Sequence, residues 1–249
     1  YAHNMRLYEH EGKAVLAQAG ILIPEQISLT NLESLQPPVH FPVVLKAQVL
    51  HGNRAQQGLI KVVASQPEWQ EVVQAWQKTL HPTTKILQEA AIPFDQELYL
   101  TLRYDTRPRR PILMFSASGG TGIEQRGESM QMISLEIGQP APTIHPNIPQ
   151  AWVENLFATF LEHDCTLIEI NPLIMTPQGL MALDAKVELD DTAVFRHPEW
   201  TELYPPRTLF ARLPTAREQK AKQVNAADHR GIAGASYFEF DGTIGVLAS

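Results

Sequence analysis

Two β-rich runs, Thr166–Met175 (TLIEINPLIM) and Leu180–Val187 (LMALDAKV), flank the short segment Thr176-Pro177-Gln178-Gly179, and this pattern constrains the fold more than any other feature of the chain. A proline and a glycine between runs of apolar and β-branched residues spell strand, turn, strand. Side chains alternate along a strand, so Ile168 and Ile170 share one face while Glu169 and Asn171 share the other. Asp184 lies on the second strand and can oppose them. Three oxygen-bearing side chains then converge on one sheet face. Mg²⁺ takes such hard oxygen ligands and usually keeps water and nucleotide phosphates as the rest of its shell. The same spacing also fits a half-exposed hairpin whose polar residues alternate toward water.

The remaining chain supplies both strands and helices. Leu7–Ala19 is helix-like, with Gly20 as the stop and Pro24 beyond it. Val43–Val49 (VVLKAQV) is a short apolar run with one charge inside it, consistent with a buried strand. Gly58–Ala64 (GLIKVVA) reads as its partner, with the polar loop His51–Gln57 between them. Trp69, Val72, Val73, Trp76 and Leu80 mark one face of a helix that has Pro67 in its first turn. Lys85–Ala90, Glu97–Tyr104 and Pro111–Phe115 are β-rich, and Asp105-Thr106-Arg107-Pro108 links the last two as a hairpin. The arginines around that turn (Arg103, Arg107, Arg109, Arg110) read as a solvated turn rather than a binding patch.

After the proline-rich connector Pro140–Pro149, a further helix face follows at Val153, Leu156, Phe157, Phe160 and Leu161. His197–Leu213 is irregular, and a polar helical segment runs from Arg217 to Gly231. Tyr237–Ser249 opens an alternating apolar pattern, read as the start of a further, truncated domain. Tyr1–Asn4 carry no pattern and read as a leader. The order of elements is α+β, without internal repeats.

Composition narrows the function classes. The formal charge is −7 and no segment concentrates Lys and Arg, so a nucleic-acid backbone is a poor partner. No run of about 18 apolar residues is present, which argues against a membrane-spanning helix. The single cysteine, Cys165, cannot form an intrachain disulfide, which fits a reducing, cytoplasmic setting. Cys165 precedes an apolar strand and reads as core, and the histidines do not cluster at zinc spacings.

Two further signals point to anions. Lys46 lies inside an apolar run, and burying an ammonium is costly unless an anion compensates it. A phosphate would do so; a side chain snorkelling from an edge strand is the plainer alternative. The stretch Ser118-Gly119-Gly120-Thr121-Gly122-Ile123-Glu124 follows a strand, and its glycines allow close backbone approach to a phosphate or substrate. It lacks the Gly-Lys-Ser/Thr ending of a P-loop.

In order and spacing, the chain from about residue 5 to 249 resembles the ATP-grasp half of succinyl-CoA synthetase β subunits. The resemblance rests on Leu7-x-Glu9-x-x-x-Lys13, Val44-Leu45-Lys46-x-Gln48-Val49, Glu89-Ala90-Ala91, Glu97-Leu98-Tyr99 and Gly119-Gly120-x-x-Ile123-Glu124. It continues through Glu169-Ile170-Asn171-Pro172-Leu173, Leu183-Asp184-x-Lys186 and Ala193-Val194-Phe195-Arg196. Subunits of ATP-citrate lyases and citryl-CoA synthetases share this half. The resemblance implies an α+β ATP-grasp fold of two lobes with nucleotide between their sheets: a larger lobe of residues 5–23 and 93–236, a small inserted lobe of 24–92, and a CoA-ligase domain beginning at 237–249.

The resemblance further implies ATP and Mg²⁺ as cofactors. Asn171 and Asp184 match metal ligands; Lys46 and Arg54 match phosphate-holding and catalytic positions; Glu89, Ile92 and Glu97 match positions beside adenine and ribose. Pro24 matches a position near the base and tilts the reading toward adenine. The implied activity is that of an NDP-forming acid–CoA ligase, in which ATP phosphorylates a histidine of a partner α subunit that also carries the CoA site. Succinate or citrate is the implied acid, and the fragment alone is expected to be inactive. The phosphate loop departs from the family, running Gly52-Asn53-Arg54-Ala55-Gln56-Gln57-Gly58-Leu59, with Asn53 and Ala55 in place of glycines and Gln56 in place of a cation. Ser118 stands where many relatives have glutamate. A non-catalytic ATP-grasp module is the alternative that this loop raises.

Overall fold

Every strand pair in the two sheets of the computed structural model is antiparallel. The structure describes residues 4–107, 109–120, 130–204, 215–227, 237–239, 242–243 and 245. In chain order the elements are β1 (Asn4–Arg6), α1 (Glu9–Gln18), β2 (Gln26–Asn31), β3 (Val43–Ala47), β4 (Ile60–Val63), α2 (Gln66–Thr79), β5 (Lys85–Ala90), β6 (Glu97–Asp105) and β7 (Arg110–Ser116). There follow β8 (Gln131–Ser134), α3 (Gln150–Glu162), β9 (Cys165–Thr176), β10 (Gly179–Ala182), β11 (Lys186–Asp190), α4 (Trp200–Leu203) and α5 (Ala216–Ala227).

The smaller sheet has the order β2-β5-β3-β4. One face is apolar because Val43, Leu45 and Ala47 alternate inward with Val63 and Ile86, and α2 covers them with Trp69, Val73 and Trp76. The indole N–H groups are not wasted. Trp69 Nε1 donates to Gln88 Oε1 at 2.8 Å, and Trp76 Nε1 donates to the Gly58 carbonyl at 3.1 Å. Alternation sends Val44 and Lys46 of β3, with Leu87 and Glu89 of β5, to the opposite face. β3 is an interior strand, so Lys46 has no edge from which to snorkel.

The larger sheet runs β1-β11-β9-β6-β7-β8, with β10 pairing back on β9. Leu98, Leu100, Leu102, Ile168, Ile170 and Val187 face a core closed by Val15 and Leu16 of α1 and by Val153, Leu156, Phe157 and Phe160 of α3. Helix α1 presses close to β11 at Gly12, where a Cβ would meet Val187 Cγ2 at 3.1 Å. The other face carries Tyr99, Thr101, Arg103, Met114, Leu167, Glu169 and Lys186 around a cavity of about 380 Å³. Among the described residues no helix is long and apolar enough to cross a membrane.

Three sequence-based expectations change. The run Leu180–Val187 is two strands, β10 and β11, because the chain leaves the ladder at Leu183-Asp184-Ala185. Asn4 pairs with Asp190, so β1 begins inside the stretch read as a patternless leader; its partner strand, not its own pattern, makes it a strand. Strands β2 and β8 carry partly exposed, mixed polar sequences (QISLTN and QMIS) that periodicity does not mark. Most of Tyr237–Ser249 and the end of the segment read as helical to Gly231 lie outside the described residues.

Candidate functional site

Six ionisable side chains meet where the smaller sheet, α1 and the β9–β11 region come together. Glu9, in the first turn of α1, has a side chain 1% exposed and takes three cations: Lys13 Nζ at 2.8 Å, Lys46 Nζ at 2.7 Å and Arg54 Nη1 at 2.7 Å. Lys13 is four residues on, hence on the same helix face, and also reaches Glu89 Oε1 at 2.6 Å. Lys46 reaches Glu89 Oε2 at 2.9 Å and donates to the backbone carbonyl of Leu183. Nη2 of Arg54 lies 2.7 and 2.8 Å from the two oxygens of Asp184. Three cations face three carboxylates, so the cluster is neutral as a whole. Buried charges persist only when paired in this way. The anions that compensate Lys46 are therefore the protein's own Glu9 and Glu89.

The charges reinforce one another. Burial pushes the Glu9 carboxyl up, but Lys13, Lys46 and Arg54 outweigh it and hold it well below the usual carboxylate range. Burial opposes the charge on Lys46, yet Glu9, Glu89 and Asp184 hold its ammonium above the ordinary lysine value. Arg54 is likewise raised against burial by Asp184 and Glu9. Lys13 goes the other way, lowered by burial and by its neighbour Lys46 despite Glu9 and Glu89.

Arg54 sits in a tight loop. Gln57 N–H bonds the Asn53 carbonyl at 3.1 Å, Gly58 N–H the Ala55 carbonyl at 3.1 Å, and Leu59 N–H the Arg54 carbonyl at 2.9 Å. Asn53, in place of a glycine, adopts φ 60, a left-handed conformation that its short polar side chain tolerates.

Asn171 and Asp184, the two expected metal ligands, lie on β9 and in the segment between β10 and β11. Leu173 pairs with Ala182 and Glu169 with Lys186. Between them Leu183 N–H bonds the Pro172 carbonyl at 3.0 Å. Asn171 lies on β9 between these two pairs, and Asp184 lies in the stretch between β10 and β11 that leaves the ladder. The Asn171 carboxamide holds the glycine-rich loop, with Oδ1 accepting from Gly120 N–H at 2.9 Å and Nδ2 donating to the Gly120 carbonyl at 3.3 Å. Gly119 N–H donates to the Glu97 carbonyl at 2.6 Å, and a Cβ on Gly119 would meet the Leu98 carbonyl at 2.7 Å. The carboxylate of Glu97 occupies the space where a Gly120 side chain would go. Residues 121–124 of that loop lie outside the described residues.

The oxygen of Asn171 and the carboxylate of Asp184 have the donor chemistry that Mg²⁺ takes. Among the described residues no group of three or more His, Cys, Asp or Glu could hold a metal. Glu169, expected on the same face, lies 3.8 Å from Lys186 Nζ, and both line the open-face cavity. Glu89 puts its carboxylate in the ion cluster, and Ile92 is half-buried in the segment joining β5 and β6. Cys165 is buried, and burial together with Asp164 pushes its thiol up to about 12, so it is inert core. Sequence reasoning did not select Glu9 and Lys13 as site residues. Their signal was an acid and a base one helical turn apart on a helix otherwise anchored by apolar residues.

A family model described as ATP-grasp domain matches residues 6–131, and the chain belongs to the ATP-grasp family. It is similar to β subunits of ADP-forming succinate–CoA ligases: 32% identical to that of Aquifex aeolicus, over 80% of this chain and 59% of that one, and 30% identical to that of Rubrobacter xylanophilus, over 98% and 67%. The chain thus spans roughly three fifths to two thirds of the length of these relatives. Among solved structures, the ATP citrate lyase of Methanothrix soehngenii, with citrate and coenzyme A, aligns at TM-score 0.66 and 17% identity over 91% of this chain and 61% of that one. A dinucleotide-forming acetyl-coenzyme A synthetase of Ca. Korarchaeum cryptofilum, with coenzyme A and Mg-AMPPCP, aligns at 0.53 and 22% over 74% and 92%. At these identities the structural matches establish the fold, an α+β ATP-grasp arrangement.

Proposed function

We propose that this chain is the nucleotide-binding part of an NDP-forming acid–CoA ligase, holding ATP with Mg²⁺ between a small lobe of residues 24–92 and a larger lobe of 5–23 and 93–236. The observation that carries the reading is the 2.7 Å contact between Arg54, from the small lobe's loop, and Asp184, from the segment between β10 and β11. A cation suited to phosphate and a carboxylate suited to metal share one spot. In this reading Lys46 and Arg54 hold phosphate oxygens, Asn171 Oδ1 and Asp184 hold the metal, and Glu89, Ile92 and Glu97 border adenine and ribose.

Phosphoryl transfer is mostly positional and electrostatic work. Bound Mg²⁺ would supply neutralising charge on the phosphates. Lys46 contributes an ammonium anchored by Glu9, Glu89 and the Leu183 carbonyl, and one of these three contacts would yield when it donates to a phosphate oxygen. Arg54 contributes a planar fork suited to paired phosphate oxygens. The acceptor would be a histidine of a partner α subunit that also binds CoA. The acid would be succinate, as the relatives' names suggest, with citrate as the alternative, in a cytoplasmic setting. The altered loop keeps its left-handed turn through Asn53, so the sequence departure at that residue does not by itself favour a non-catalytic module.

Calorimetry tests the reading. Mg-ADP should bind, and Asp184→Ala should weaken it by at least roughly tenfold, the loss that even outer-shell changes cause at metal sites. No heat at millimolar nucleotide would defeat it.

A further inference from the structure

Both side chains offered to the metal are already engaged by the protein itself, and by groups that a phosphate could take over. Asp184 Oδ1 accepts from Arg54 Nη2 at 2.7 Å and from Ala185 N–H at 2.7 Å, and Oδ2 accepts from the same Nη2 at 2.8 Å. Asn171 Oδ1 accepts from Gly120 N–H at 2.9 Å. The Arg54 side chain is 10% exposed and that of Asp184 27%, so their contact is partly shielded from water.

We propose that Arg54 is a specificity-determining residue that bars free divalent cations from Asn171 and Asp184 and admits a cation only together with a nucleotide's phosphates. The proposal rests on the reading of Asn171 and Asp184 as metal ligands. A guanidinium stays charged at any physiological pH, so the negative charge of Asp184 is neutralised before an ion arrives. A hydrated cation alone must shed water and also break a charge-assisted contact, while leaving Arg54 with Glu9 as its one remaining carboxylate. A phosphate changes that balance because it accepts from the same planar fork. Arg54 can turn its Nη2 donors to phosphate oxygens and release Asp184, while the Gly120 N–H can pass to a phosphate oxygen and release Asn171. Metal and nucleotide then remove the same two contacts, so each strengthens the other's binding by an equal factor.

Mn²⁺ is the probe, titrated into the 249-residue chain and followed by electron paramagnetic resonance, with and without ADP. In the unaltered chain Mn²⁺ alone should bind weakly and tighten with ADP. Arg54→Gln should bind Mn²⁺ alone about tenfold more tightly, and the enhancement by ADP should shrink, as expected when a coupling of this usual size is removed. Arg54→Lys keeps a cation beside Glu9 but loses the two-oxygen grip; it should change in the same direction and by less, and it serves if the glutamine variant does not fold. Unchanged or weaker Mn²⁺ binding without nucleotide, in whichever folded variant is measured, overturns the proposal. Asp184→Asn separates this from the underlying reading. If it leaves Mn²⁺ binding with ADP intact, Asp184 is no ligand; if it abolishes that binding while the Arg54 variants leave Mn²⁺ alone unaffected, only the gating role fails.

Discussion

Glu9 and Asp164 each gather basic side chains, and their surroundings make them different objects. Glu9 is sealed at the junction of α1, β3 and the Arg54 loop, with Lys13, Lys46 and Arg54 around it. Asp164 sits in the turn between α3 and β9. It accepts from Arg196 Nη2 at 2.6 Å and Nε at 3.0 Å and contacts His197 Nε2 at 2.8 Å, with half of the Arg196 side chain in water. Its task is to fasten the segment after β11, where His197 stacks on the buried Trp200 with ring centroids 4.1 Å apart. Water can replace the partners of Asp164. Nothing replaces those of Glu9.

The largest effect should come from breaking the buried member. Glu9→Ala leaves three cations around two carboxylates and should cost about 3–5 kcal/mol of folding stability, read by urea unfolding. A loss below about 1 kcal/mol would erase the distinction between the regions. Next in size is the coupling between Lys13 and Glu89. In a cycle of Lys13→Met and Glu89→Leu the double variant should be less destabilised than the singles predict, by about 1–3 kcal/mol, since removing both charges leaves neither stranded. Asp164→Asn keeps a residue that tolerates its φ of 43 and removes only the charge. It should cost less than about 1 kcal/mol, and the loss should shrink in 1 M salt.

The smallest effect is pH-dependent. Burial, with His197 beside it, lowers the affinity of His163 for a proton. A group whose proton affinity drops on folding gives stability that is whole above its unfolded value, about 6.5, and declines as pH falls toward the folded one. His163→Gln should flatten the melting temperature across that window. Asp164 is held low by the Arg196 hydrogen bonds against its partial burial, aided by His197, so its contribution should persist to below about pH 4 before acid removes it. A melting curve insensitive to His163 would show its stack on His197, with ring centroids 6.5 Å apart, to be as solvated as the Asp164–Arg196 pair beside it.

The same contrast explains what the sequence displayed. Strands and helices with a clear apolar period were legible: α2 from its tryptophans and valines, and β5 and β9 from their β-rich runs. The strand carrying Glu169 and Asn171 was legible too, while Asp184 was expected on a strand and instead lies between β10 and β11. The partners of Lys46 were not, because Glu9 and Glu89 come from a helix and a strand that local patterning treats separately. Nor was the pairing of Arg54 with Asp184, a long-range contact between the loop after β3 and the segment after β10. β1 was hidden for a similar reason, being a strand only by virtue of β11.

The departure of the chain from the ladder between β10 and β11 turns the Leu183 carbonyl toward Lys46. That acceptor belongs to the peptide and not to the leucine. Every amino acid at position 183 would present the same oxygen, so a survey of substitutions there would report tolerance and miss the anchor. Replacing the amide between residues 183 and 184 by an ester, whose carbonyl is a weaker acceptor, is the chemical edit that would expose it.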